Sequence, residues 1–180
     1  KNKSDYLSCI DHLFVRLREM PKILRGTPRA LRTDNAGEMI SAEAREYMRV
    51  NKIWHELCNP YEHFQNPRAE SAVGTIGMRA RTMLHSSGVN KRHWQHAVMY
   101  SAEVENRTLP YAKGSSMTCY EAFHGVKPDN SKLMPFGCLA YLHRSKALRK
   151  EGKFDETAIK CVFLGFAFHL GHKGYLLGSL

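Results

Sequence analysis

Apolar residues recur at helical spacing in four stretches of the chain, and short runs of strand character lie between and after them. Leu7, Ile10, Leu13, Phe14 and Leu17 follow Ser4, a helix-capping residue type, and Pro21 ends the run. Ser41 predicts the start of a second helix, with Ala44, Tyr47 and Met48 on one face as far as Asn51. The third is the longest. From Arg68 to about His85, the residues Ala69, Ala72, Val73, Ile76, Ala80, Met83 and Leu84 form one stripe, the expected buried face. A fourth helix, Asn90 to Arg107, has Trp94, Ala97, Val98, Ser101 and Ala102 on its expected inner side, with Trp94 read as a core anchor ahead of a residue stacking on a base. Thr118 and Glu121 have capping-box spacing and open a short helix reaching His124.

The strand-like runs fall into two groups. Arg29 to Thr33, after the turn Gly26-Thr-Pro28, and Ile53 to Leu57 sit between helices. From Phe136 the texture changes. Residues 136–142, 158–164 and 174–177 are strand-like and separated by charged or glycine-rich turns. The pattern predicts an α/β core over 1–112, a linker with a short helix over 113–132, and a small β module over 133–180.

A length of 180 residues suits one core and a small second module. The formal charge of +10 changes the picture more than the length does. An excess of Lys and Arg spread along the chain favours a polyanionic partner, nucleic acid ahead of a membrane. There is no run of eighteen apolar residues, and the charged start Lys1-Asn-Lys-Ser-Asp5 is not followed by a leader-like apolar stretch, so neither a membrane span nor a signal peptide is expected. The five cysteines are scattered and lack Cys-x-x-Cys spacing. Neither a disulfide framework nor a structural zinc site is expected, and free thiols suit a reducing intracellular setting. His12, His55, His63, His85 and His93 read as surface or packing residues.

Two acids stand in different local settings. Asp34 ends a strand-like run and precedes the turn formers Asn35, Ala36 and Gly37, while Glu70 lies in the first turn of the third helix. A carboxylate at a strand end and one at a helix start can converge on a divalent cation, since Mg²⁺ takes carboxylate oxygens and keeps waters and phosphates in its other positions. Spacing alone leaves such a pair ordinary, because most acids on a basic protein are solvated.

The surrounding residues add to this. Arg32-Thr-Asp-Asn-Ala-Gly-Glu38 resembles the R-S/T-D-N-G-G-E segment of copia-type retrotransposon integrases. Ile53-Trp-His-Glu-Leu57, Pro60-Tyr61 and Gln65-Asn-Pro-Arg-Ala-Glu70 resemble the stretch that follows it in that family. Arg79-Ala-Arg-Thr-Met-Leu84, Asn106-Arg107, Thr118-Cys-Tyr-Glu121, Gly125-Val-Lys-Pro128, Phe136-Gly-Cys138, Cys161-Val-Phe-Leu-Gly165 and Gly174-Tyr175 keep the family's order over nearly the whole chain.

The resemblance implies an RNase H-like core with an Asp, Asp, Glu triad whose last two acids have thirty-five residues between them, as Asp34 and Glu70 do. They would hold Mg²⁺ or Mn²⁺, two ions in the complete site. It implies end processing and strand transfer on DNA by phosphoryl transfer. Asn35, Gln65 and Asn66 would orient substrate or loop, and Arg68 and Arg81 would contact DNA. The loop from Asn59 to Pro67, with Tyr61, His63 and Phe64, would lie beside the active site. The β module would be SH3-like. The partners implied are element ends, target DNA and further copies of the chain, without a membrane, in an intracellular setting such as the nucleus or a virus-like particle.

The first acid of the triad is expected on a strand upstream of Lys1, since Asp5 and Asp11 lie within a predicted helix. There is also a departure. Where the family is rich in Arg, Lys and Asn after the glutamate, this chain has Ser71, Ala72, Val73 and Gly74, and Pro67 replaces a glycine. The helix positions stacked on Glu70 are Gly74, Gly77 and Arg81, so the expected phosphate-binding face is short of charge. An incomplete or diverged copy is one reading. A nucleic-acid-binding remnant without catalysis is the alternative, and multimerisation through the Trp94 helix is a third. Arg144, Lys146, Arg149, Lys150 and Lys153 form a basic loop, read as a solvated hairpin tip with nucleic-acid contact as the other option.

Overall fold

The computed structural model describes residues 5–18, 29–58, 66–145, 156–169 and 172–179. Their elements are α1 (Asp5–Arg18), β1 (Ala30–Thr33), α2 (Ala42–Val50), β2 (Trp54–Leu57), α3 (Pro67–Ser87), α4 (Trp94–Thr108), α5 (Cys119–His124), β3 (Leu139–His143), β4 (Ala158–His169) and β5 (His172–Ser179). Single 3-10 turns precede α4 at Lys91–His93 and β3 at Asn130–Lys132. Each helix and strand agrees with its predicted span to within a few residues, except that β4 and β5 run longer. Ser4, Pro21, the 26–28 turn, Tyr61, His63, Phe64, Gln65 and the basic residues 146, 149, 150 and 153 lie outside the described residues. The chain forms two compact units, Lys1–Val73 with Pro110–Pro128, and Gly74–Leu109 with Asp129–Leu180.

In the first unit, β1 and β2 pair in parallel, Ala30 opposite Trp54 and Thr33 opposite Leu57, with α2 as the crossover. Parallel neighbours need such a connection because a tight turn cannot reverse the chain direction twice. The Ser41 hydroxyl caps α2, accepting from the Ala44 N–H at 3.1 Å. Ile10 and Phe14 of α1 pack with Met48 of α2 and Ile53, and Tyr6, Leu31 and Tyr47 close around them. The Tyr47 hydroxyl donates to Asp11 at 2.9 Å, and the Arg18 guanidinium donates to Asn51 at 3.2 Å, so polar contacts join α1 to α2 and its C-cap outside the apolar core. Leu13, expected within the stripe, is 50% exposed, because one turn-to-turn pair, Ile10 and Phe14, already fills the contact.

In the second unit, β3, β4 and β5 form an antiparallel sheet in that order. A register shift between Phe163 and Gly165 bulges β4 at Leu164. Gly165 sits there at φ 135° with the Tyr100 ring 3.5 Å from where a Cβ would stand, so both backbone angle and space favour glycine. The sheet shares its core with helices. Ala80 of α3 and Ala97 and Tyr100 of α4 pack with Phe136, Val162, Phe163 and Leu164. Tyr100 meets Phe163 edge-on at 5.3 Å, and Arg107 lies 5.4 Å above the Phe166 ring while binding Glu103 at 2.7 Å. The described residues of the expected SH3-like module thus form a three-stranded sheet resting on α4.

Two burial expectations fail. Ala69, Ala72 and Val73 are exposed, Val73 by 72%, and Ala80 alone on the α3 stripe is buried. The apolar core meets α3 from Ala80 onward, and α4 reaches back only as far as the Ser101 hydroxyl bonded to the Ile76 carbonyl at 3.4 Å. Trp94 is 56% exposed, and the buried face of α4 is Ala97, Tyr100 and Ser101. Trp94 is the first residue of α4, and helical side chains lean toward the N-terminus, which directs it past the end of the core. Among the described residues no helix is long and apolar enough to cross a membrane.

Candidate metal centre at the end of the parallel strand pair

The carboxyl ends of parallel strands are the usual place for ligand chemistry in α/β sheets, because the loops there splay apart and leave a crevice. Asp34 is the first residue past β1. Its base is tightly fixed. Thr33, buried beneath it, receives the Cys58 N–H on its carbonyl at 2.9 Å, and its hydroxyl stands 2.8 Å from Nε2 of His55. One residue back, Arg32 bonds Glu56, its cross-strand partner, at 2.8 Å and 2.9 Å. The amide of Asn35 donates to the Cys58 carbonyl at 2.9 Å, joining the turn after Asp34 to the end of β2.

Asp34 itself is exposed. One carboxylate oxygen accepts the Ala36 N–H at 3.3 Å, an Asx-type turn, and the Met39 N–H closes the next turn on the Ala36 carbonyl at 2.8 Å. Among the described residues its carboxylate forms no ion pair. The charge of Asp34 reaches Tyr6 of α1. Burial raises the Tyr6 phenol above its ordinary pKa, and the negative charges of Asp34 and Glu38 raise it further. The Tyr6 hydroxyl is buried and has no hydrogen-bond partner among the described residues. The charges of Asp34 and Glu38 thus both reach the Tyr6 hydroxyl.

Glu70 is in the first turn of α3 and is exposed. The helix begins at Pro67, a residue type well suited to a first helical position, and the Asn66 carbonyl accepts the Glu70 N–H at 3.2 Å. The positive end of the helix dipole favours a carboxylate there. Glu70 also forms no ion pair among the described residues. Asp34 and Glu70 fit the chemistry of a magnesium ligand, but no group of three His, Cys, Asp or Glu side chains among the described residues forms a metal cage.

No protein-family model matches the chain. The Retrovirus-related Pol polyprotein from transposon TNT 1-94 of Nicotiana tabacum is 32% identical over 136 residues, 76% of this chain. The chain belongs to the copia-type retrotransposon integrase family. It spans 10% of that polyprotein's length. The fold of this integrase-family chain is shared with a chain of the simian T-cell lymphotropic virus intasome, solved by cryo-EM in complex with PP2A regulatory subunit B56 gamma. The TM-score is 0.54 at 13% identity, over 99% of this chain and 64% of that one.

Within the integrase-family chain, Asp34, Asn35, Asn66, Arg68 and Glu70 all belong to the first unit, and Arg81 belongs to the second. Gln65 lies outside the described residues. Asn35 holds its own turn through the Cys58 bond, and Asn66 supplies the first helical acceptor of α3. Arg68 and Arg81 are exposed. Sequence reasoning did not single out Tyr6 or Glu38, whose electrostatic coupling the structure shows. Glu38, four residues after Asp34 in the same motif, carried a signal in its spacing. Tyr6 carried none, since its coupling to Asp34 depends on how α1 packs.

Proposed function

We propose that this chain is part of an RNase H-like integrase core, over 1–112, followed by a linker over 113–132 and an SH3-like module over 133–180. It would act on DNA ends by metal-dependent phosphoryl transfer. The observation that carries this reading is an exposed carboxylate, Asp34, fixed at the carboxyl end of a parallel strand in a chain of the integrase family. Asp34 and Glu70 would hold Mg²⁺ or Mn²⁺. When bound, the metal activates the attacking hydroxyl and neutralises charge at the leaving oxygen. Thr33, His55 and Asn35 hold the chain on either side of Asp34 in place, and Glu70 stands in the first turn of α3. Asn35, Gln65 and Asn66 orient DNA or the loop beside it, and Arg68 contacts phosphates, as does Arg81 unless a partner occupies the groove it lines.

The intasome neighbour and the charge of +10 support DNA and further copies of the chain as partners, with the nucleus or a virus-like particle as the setting. The test is strand transfer of a labelled element-end DNA by the complete integrase in Mg²⁺. Asp34→Asn and Glu70→Gln each abolish transfer while leaving the thermal midpoint unchanged. Transfer retained by either variant removes that residue from the mechanism.

A second reading is a DNA-binding remnant without chemistry. Ser71, Ala72, Val73 and Gly74 favour it, since four exposed helix positions beside Glu70 carry no charge to hold a phosphate. Binding of DNA without Mg²⁺-dependent nicking selects this reading.

A further inference from the structure

The second unit contains a groove none of whose lining residues belongs to the first unit. It is a cavity of about 770 Å³ open to solvent, formed by α3, α4 and the turn between them. Ala80, Leu84, Val98 and the exposed face of Trp94 supply its apolar surface. Arg81, His85 and Lys91 stand among the remaining lining residues, and none of the lining residues carries a carboxylate. Gly77 also lines it, and a Cβ there would meet nothing within 4 Å, so no packing within the described residues explains a glycine in the helix interior.

We propose that this groove docks an acidic amphipathic helix of a partner protein. An apolar trough takes the leucine-type residues of such a helix at i, i+3, i+4 and i+7, and carboxylates on its flanks meet Arg81 and Lys91. Trp and Arg are the residue types that carry most binding energy at protein interfaces, and here they share one groove. Charge selects among occupants. A second copy of this chain brings a net +10, so charge favours an acidic occupant of this basic groove and leaves contacts with further copies to other surfaces. Duplex DNA satisfies the two cations and leaves the apolar lining uncovered. An acidic, apolar-faced helix satisfies both.

The experiment uses Trp94 as its own reporter. The chain has two tryptophans, and Trp54→Phe, at a position 71% exposed, leaves Trp94 alone to report. The probe is a synthetic helical peptide with leucines along one face and glutamates on both flanks. We expect a saturable shift of Trp94 emission to shorter wavelength, with affinity falling as salt rises. Gly77→Leu fills the groove and weakens binding at least about tenfold, equivalent to about 1.4 kcal/mol. Gly77→Ala, which improves the helix without filling the space, retains binding and so separates filling from misfolding. Arg81→Glu combined with Lys91→Glu transfers the preference to a peptide carrying lysines on its flanks.

Any one of four results overturns the proposal. The acidic peptide produces no saturable shift. The lysine peptide binds the unaltered groove as well as the acidic one. A short DNA duplex displaces the peptide, which makes the groove a nucleic-acid face. Trp94 emission shifts with protein concentration alone, which makes it a self-association face.

Discussion

Asn35 and Cys58 are joined by a hydrogen bond of 2.9 Å from the Asn35 amide to the Cys58 carbonyl, and it links the turn carrying Asp34 to the end of the neighbouring strand. Without it, the residue after Asp34 would be free to rotate, and Asp34 with it. Asn35→Ala removes the donor and leaves a carbonyl unpaired. It lowers stability by about 1 kcal/mol, read as a shift in the denaturant midpoint. Asn35→Asp has the same size and nearly the same shape but offers no N–H, so it shows the same direction. If Asn35→Ala leaves the midpoint unchanged, the bond holds nothing.

Gly74 and Gly77 lie inside α3, and an added Cβ meets no neighbour at either. Glycine inside a helix costs about 1 kcal/mol relative to alanine. Gly74→Ala and Gly77→Ala therefore each raise the melting temperature by about 2–4 °C in a chain of this size. A fall in either variant would reveal a contact that requires the missing side chain.

The start of α3 beside Glu70 is exposed and uncharged at positions 71–74. Ala72→Lys and Gly74→Arg place cations there without steric cost at the glycine. DNA affinity rises in each variant, and the slope of log affinity against log salt steepens by about 0.9 per phosphate engaged. Unchanged binding across a salt series would show that this helix face does not meet DNA.

Three tyrosines make the fold sensitive to alkali. Burial is the first cause in each case, and it raises the phenol pKa of Tyr6, Tyr47 and Tyr100 above the ordinary 10.0. At Tyr6 the charges of Asp34 and Glu38 add to it, and at Tyr47 the hydrogen bond to Asp11 does. A raised pKa means the folded chain keeps the proton longer than the unfolded chain. The stability from these groups is full below pH 10 and is lost as pH rises through the folded-state values. Tyr6→Phe flattens that loss. Denaturant titrations from neutral to strongly alkaline pH measure it, and parallel curves for Tyr6→Phe and the unaltered chain would contradict the burial of Tyr6.

The caps show how much the sequence held. Ser41 and Thr118 each bond the N–H three residues on, at 3.1 Å, as their spacing predicts. The order of motif words around Asp34 and Glu70 identified the family before any fold was described, and the 32% identity to a transposon polyprotein agrees with it. Such features lie within a few residues of one another, so the chain states them wherever it goes.

Burial is another matter. Trp94 and Val73 sit on correct apolar stripes, yet both are exposed. Periodicity specifies which side of a helix is apolar, but what covers that side comes from distant sequence. The sequence alone determined the order and type of the elements and the two acids that open α3 and follow β1, while β4 and β5 run past their predicted ends. Only the tertiary structure decided that the Asp34 charge reaches Tyr6 and that β4 buries Phe163 against Tyr100 of α4. Those pairs are far apart along the chain, and their contact is a property of packing, which no local pattern encodes.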